Sequence, residues 1–65
     1  METHFVVQSE TYAEKTKRLL SRYRFRFLVR KVTAAAGCSY QFTVAAEPAA
    51  VFALLSAQRV PYQTC

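Results

Sequence analysis

Residues 24–44 read RFRFLVRKVTAAAGCSYQFTV, and the period of this stretch decides the fold. Phe25, Phe27 and Val29 fall on one side of a two-residue alternation, with Arg24, Arg26, Leu28 and Arg30 on the other, the pattern of a half-buried strand. Thr33-Ala34-Ala35-Ala36-Gly37 breaks the alternation and ends in the residue that most easily takes a positive φ, which predicts a hairpin loop. From Cys38 to Val44 the alternation resumes. Cys38, Tyr40, Phe42 and Val44 share the face expected to meet the core, and Ser39, Gln41 and Thr43 share the other.

Outward from this hairpin, the period changes. His4-Phe5-Val6-Val7-Gln8 is a short apolar run that predicts a strand over 4–8. Ser9 offers an N-cap, and Thr11 with Glu14 offers a capping box half a turn later, so a helix is expected over 10–22. Ala13, Thr16, Leu19, Leu20 and Tyr23 form its apolar stripe. On the far side, Glu47-Pro48 opens a second helix over 47–58, with Val51, Phe52, Leu54 and Leu55 facing inward, Arg59 in the last turn and Pro61 as the stop. The tail 59–65 reads as a frayed end or a short edge strand. With strands over 24–32 and 38–44, the order β-α-β-β-α predicts one α+β domain over 1–65, a ferredoxin-like unit lacking most of its last strand. The sheet is expected to be three-stranded, antiparallel or mixed, in the order 1-3-2 with both helices on one face. Arg26, Leu28, Arg30, Ser39, Gln41 and Thr43 then lie on the open face, and the outer edge of the first strand is unpaired.

A chain of 65 residues buries only about 60% of the surface its unfolded form exposes, so its core is small. Small folds compensate with disulfides, metals or self-association; Cys38, Cys65 and a lone His4 make neither a disulfide framework nor a zinc motif, which leaves a homodimer as the expected compensation, favoured edge to edge. Met1-Glu2-Thr3-His4 lacks the basic and apolar segments of a secretory signal, and no apolar run approaches the ~18 residues of a membrane span. A cytoplasmic location with reduced thiols and no membrane partner is therefore expected. Eight of the nine cations (Lys15, Lys17, Arg18, Arg22, Arg24, Arg26, Arg30 and Lys31) lie between positions 15 and 31, and no acid occurs from 15 to 46. Such a surface attracts acidic proteins, nucleic acid or phosphorylated ligands through its summed field.

The inventory for catalysis is poor. There is no aspartate, one histidine and one glycine, so paired carboxylates, a Walker-type phosphate loop and metal-assisted hydrolysis all lack their residues. No metal or cofactor is expected, and the protein reads more as a non-enzyme than as an enzyme. What chemistry it has falls to Cys38. If the first and second strands run parallel, the loop before Cys38 lies at the end of the sheet where the first helix begins, near Ser9. The positive end of a helix favours an anion and so a thiolate; Lys31 assists it and Glu10 opposes it. Ser9, Gly37, Ser39 and Lys31 are the candidate anion-binding residues around it. The competing reading is that Cys38 packs as a small core residue beside Tyr40. Cys65 reads as a frayed end, or as a resolving thiol if the tail folds back, and His4 as a surface residue or a group that orients the thiolate.

The first strand through Ser9, the helix ending Lys17-Arg18-Leu19-Leu20, and Gly37-Cys38 ahead of a strand and a final helix resemble a family of small bacterial selenium/sulfur-carrier-like domains, over most of residues 4–58. The resemblance implies that Cys38 matches the family's cysteine after the second strand and holds sulfur or selenium for a partner enzyme; Ser39 stands where the family often has glycine. The alternative is a non-enzymatic interaction module that binds an acidic protein or nucleic acid through Arg24, Arg26 and Arg30. Phe25 and Phe27 alternate onto the wrong face for stacking bases, so the nucleic-acid version is not favoured.

Overall fold

The computed structural model describes residues 1–35 and 37–64. Six elements follow one another: β1 (Thr3–Val7), α1 (Glu10–Arg22), β2 (Phe27–Ala34), β3 (Gly37–Val44), α2 (Pro48–Ala57) and β4 (Gln63–Thr64). They form a ferredoxin-like α+β fold whose sheet has the order β2-β3-β1-β4, with every neighbouring pair antiparallel. The expected 1-3-2 core of the sheet is present, but the sheet has four strands, not three. Pairing of Phe5 with Thr64 and of Val6 with Gln63 puts the tail along the outer side of β1, the edge expected to be open. The edge-to-edge dimer expected at that edge loses its surface to the chain's own tail.

Burial follows the two periods. Phe5 and Val7 of β1 and Phe42 and Val44 of β3 are buried and meet Ala13, Leu19 and Leu20 of α1 and Val51 and Leu55 of α2. Phe5 is the hub: its ring stacks on Phe42 at 5.0 Å and meets Phe52 and Tyr62 edge-on at 6.3 and 6.1 Å. Phe25, Phe27 and Val29 pack at the margin of this cluster. Two buried hydroxyls reach carbonyls, Thr3 Oγ1 donating to Ala46 O at 2.8 Å and Thr16 Oγ1 to Tyr12 O at 2.7 Å, so neither is left without a partner.

The helix ends depart from expectation at their C-termini. Ser9 caps α1, its Oγ accepting from the Tyr12 N–H at 3.4 Å, and the helix starts at Glu10 without the alternative Thr11–Glu14 box. At the other end the apolar stripe stops at Leu20; Tyr23 is the C-cap and is 52% exposed. Arg24 follows with φ 61°, and the Arg24 and Phe25 N–H groups donate to Ser21 O and Leu20 O. The α2 terminus repeats this arrangement: Arg59, with φ 56°, lies beyond the helix instead of in its last turn, and the Arg59 and Val60 N–H groups donate to Ser56 O and Leu55 O. Both are Schellman endings in which arginine occupies the left-handed position that glycine normally fills. Arg59→Gly should therefore raise stability by about 0.5–1 kcal/mol, seen as a rise of a few degrees in the thermal midpoint. An unchanged or lower midpoint would show that the Arg59 side chain compensates for its backbone.

Candidate functional site

The β2–β3 hairpin is longer than the sheet it belongs to. Pairing of β3 with β1 stops at Val7 and Tyr40, whereas pairing of β3 with β2 continues through Val32 with Ser39, Thr33 with Cys38 and Ala34 with Gly37. Three residue pairs thus project as a two-stranded ribbon from the end of the sheet where β1 turns into α1. Thr33 and Ala34, expected in the loop, belong to β2, and Gly37, also expected there, begins β3; Ala36 lies outside the described residues. Gly37 has φ +127°, a conformation that disfavours a side chain, although a Cβ there would meet no atom within 4 Å. The glycine is required by its backbone and not by crowding.

Cys38 is on the helix side of β3, with Tyr40, Phe42 and Val44. Along this face burial falls from Val44 and Phe42, both enclosed, to the half-buried Tyr40 and the exposed Cys38. The strand runs out from under the helical layer. The reading of Cys38 as a core residue packed beside Tyr40 is thereby overturned: its thiol is free and exposed. Thr33 Oγ1, directly across the ribbon, is 3.9 Å from Cys38 Sγ, within reach of a weak hydrogen bond. Lys31, paired with Tyr40 and exposed, is on the same face one step down the ladder, diagonal to Cys38 at a Cα spacing of roughly 7–8 Å.

The other candidates separate. Ser39, paired with Val32, faces the opposite side of the ribbon from Cys38. Ser9 has its hydroxyl on the α1 N-terminus and lines a depression with Val6, Gln8, Tyr12, Pro61, Tyr62 and Gln63, on the β4 side of β1, while Cys38 stands on the β2 side. His4 hydrogen-bonds Thr43 through Nδ1 at 3.1 Å, with Glu2 3.6 Å from its Nε2. It is on the opposite face from Cys38, and its β3 partner Thr43 is five residues further along that strand, about 17 Å away, so it does not orient the thiol. Cys65 lies outside the described residues. Thr33 is the neighbour that sequence reasoning missed; counting a two-residue connection instead of a five-residue loop would have paired it with Cys38.

Arg30 is exposed on the open face of β2, whereas Arg24 and Arg26, expected in a strand over 24–32, both precede it and are exposed, Arg24 in the turn and Arg26 just before Phe27. Leu28, between Arg26 and Arg30, is 76% exposed. The phenyl rings of β1–β3 are on the helix side, so no phenylalanine of these strands is available to stack a base on the cationic face. Among the described residues, no group of three or more His, Cys or Glu side chains could hold a metal, and no helix is long and apolar enough to cross a membrane. No family model, no curated protein and no solved structure matches the chain.

Proposed function

We propose that this chain is a small cytoplasmic thiol carrier that accepts sulfur or selenium on Cys38 from a partner enzyme and passes it on. The observation that carries this reading is the position of Cys38: a free, exposed thiol at the end of a ribbon that projects beyond the helices, held by the same ladder that enters the core. A carrier needs its sulfur to enter another protein's active site while its own fold stays intact, and a projecting two-stranded ribbon meets that need. The resemblance to selenium/sulfur-carrier-like domains points the same way.

In the sulfur form of the reaction, the Cys38 thiolate attacks the outer sulfur of a persulfide on the donor. The donor's S–S bond breaks, its inner sulfur leaves as a thiolate, and Cys38 becomes the persulfide; charge balances and no external oxidant is needed. Thr33 Oγ1 is placed to donate a hydrogen bond to Sγ, and Lys31 puts a positive charge on the same face of the ribbon.

Incubation with glutathione persulfide, read by intact-protein mass, should add the mass of one sulfur to the wild-type chain and to Cys65→Ser, and none to Cys38→Ser. Thr33→Val should slow the gain without abolishing it. Equal labelling of the Cys38→Ser variant, or loading confined to Cys65, would refute the carrier reading.

A further inference from the structure

We infer that the outer edge of β2 is a strand-addition site for an acidic, extended segment of a partner protein. The sheet ends at β2, which is eight residues long, whereas the opposite edge is the two-residue β4. The direction of the free backbone groups follows from one contact. The Ala45 N–H donates to Arg26 O at 2.8 Å, one step before the Phe27–Val44 pair, so Arg26 is in a hydrogen-bonded pair of the antiparallel ladder. By alternation Leu28, Arg30 and Val32 also bond to β3. Phe27, Val29, Lys31 and Thr33 then turn their N–H and C=O groups outward, and no strand among the described residues takes them. An incoming strand has four consecutive pairing positions, which is the requirement for β-augmentation.

The charges decide the occupant. Arg26 and Arg30 flank the edge on the open face, Lys31 flanks it on the other, and Arg24 stands at its start; among the described residues the ion pairs are Glu2 with His4 and Glu14 with Lys17, so none of these four cations is neutralised. A second copy of the chain pairing edge to edge would bring this cationic strand against itself, and like charges across a strand pair are destabilising. A strand carrying glutamate or aspartate at alternate positions meets the opposite sign along its length. Leu28 and Arg30, with Gln41 and Thr43, line a shallow depression beside the edge that can seat an apolar side chain of the same segment. Single-stranded nucleic acid would meet the charge but has no peptide groups to complete the ladder. The inference goes beyond the carrier reading and does not depend on it, because it concerns a backbone edge and not the thiol; the same hairpin does lead from this edge to Cys38.

The test uses the full chain, isotope-labelled, with a blocked ten-residue peptide alternating glutamate and valine, and the same peptide with proline at alternate positions as its control. Binding should slow amide exchange at Phe27, Val29, Lys31 and Thr33, and should weaken by about tenfold or more when Arg26 and Arg30 are both changed to glutamine. Lys31→Ala removes a charge and Lys31→Pro removes the charge and one outward N–H, at an edge position where no bond within the sheet is lost. The proline variant should bind a further several-fold more weakly than the alanine variant. If Lys31→Pro fails to fold, the exchange pattern of the wild-type chain decides alone. Failure to bind, equal binding of the proline-interrupted peptide, unchanged exchange at the four amides, or displacement of the peptide by sub-stoichiometric single-stranded RNA would each overturn the proposal. So would sedimentation showing a dimer that the peptide dissociates, since the edge would then belong to a second copy.

Discussion

Phe5→Ala should leave little folded protein at 25 °C. Phe5 is fully buried at the centre of the sheet, stacked on Phe42 and met by the edges of Phe52 and Tyr62, so truncation removes one member from three aromatic contacts at once. Phenylalanine-to-alanine changes at such sites cost about 3–5 kcal/mol. A chain of 65 residues has a total stability of roughly 3–10 kcal/mol, so the loss is comparable with the whole. Urea unfolding followed by far-ultraviolet circular dichroism should show the midpoint displaced to zero or nearly so. Phe5→Leu, which retains most of the volume, should recover more than half of the loss. A Phe5→Ala midpoint within a few tenths molar of wild type would mean that the surrounding rings collapse into the space.

Removal of residues 60–65 should be almost as severe, although the segment holds only two residues of strand. Val60 is buried in the core, and Tyr62 stacks on Phe52 at 4.9 Å with its edge against Phe5. The truncation uncovers β1 and takes away a buried valine and an aromatic pair, together worth about 3–5 kcal/mol. Tyr62→Ala alone should reproduce about half of the effect. If instead the segment is a loose end, chains with and without it will unfold at the same denaturant concentration.

The strand periods were legible because large apolar side chains mark one face. Phe25, Phe27 and Val29 against Arg26, Leu28 and Arg30, and Phe42 and Val44 against Gln41 and Thr43, leave one sensible register. That information ran out wherever small or polar residues stood. The run from Ala34 to Ala36 has no contrast between faces, so the pattern predicts a loop from Thr33 to Gly37, although Thr33 pairs with Cys38 and Ala34 with Gly37. Gln63 and Thr64 have no alternation to read, and β4 is defined by the edge it covers more than by its own residues. At the helix ends the usual glycine signal is missing. Arginine at a left-handed position looks like an ordinary helical cation, so the spacing predicts Tyr23 in the buried stripe of α1 and Arg59 in the last turn of α2. For the candidate site, the exposure of Cys38 depended on how far the ribbon outruns the helices, a length that composition does not encode.

The overhang of the β2–β3 ribbon separates the exposed Cys38 from the part of the molecule that forms the core. Its last three residue pairs touch no third strand, so opening them sacrifices only ladder bonds and leaves the Phe5 cluster undisturbed. Substitutions near Cys38 can accordingly accumulate with little penalty to the remainder of the domain. In evolutionary terms the tip is a module: its residues can be exchanged while selection on the core continues unchanged.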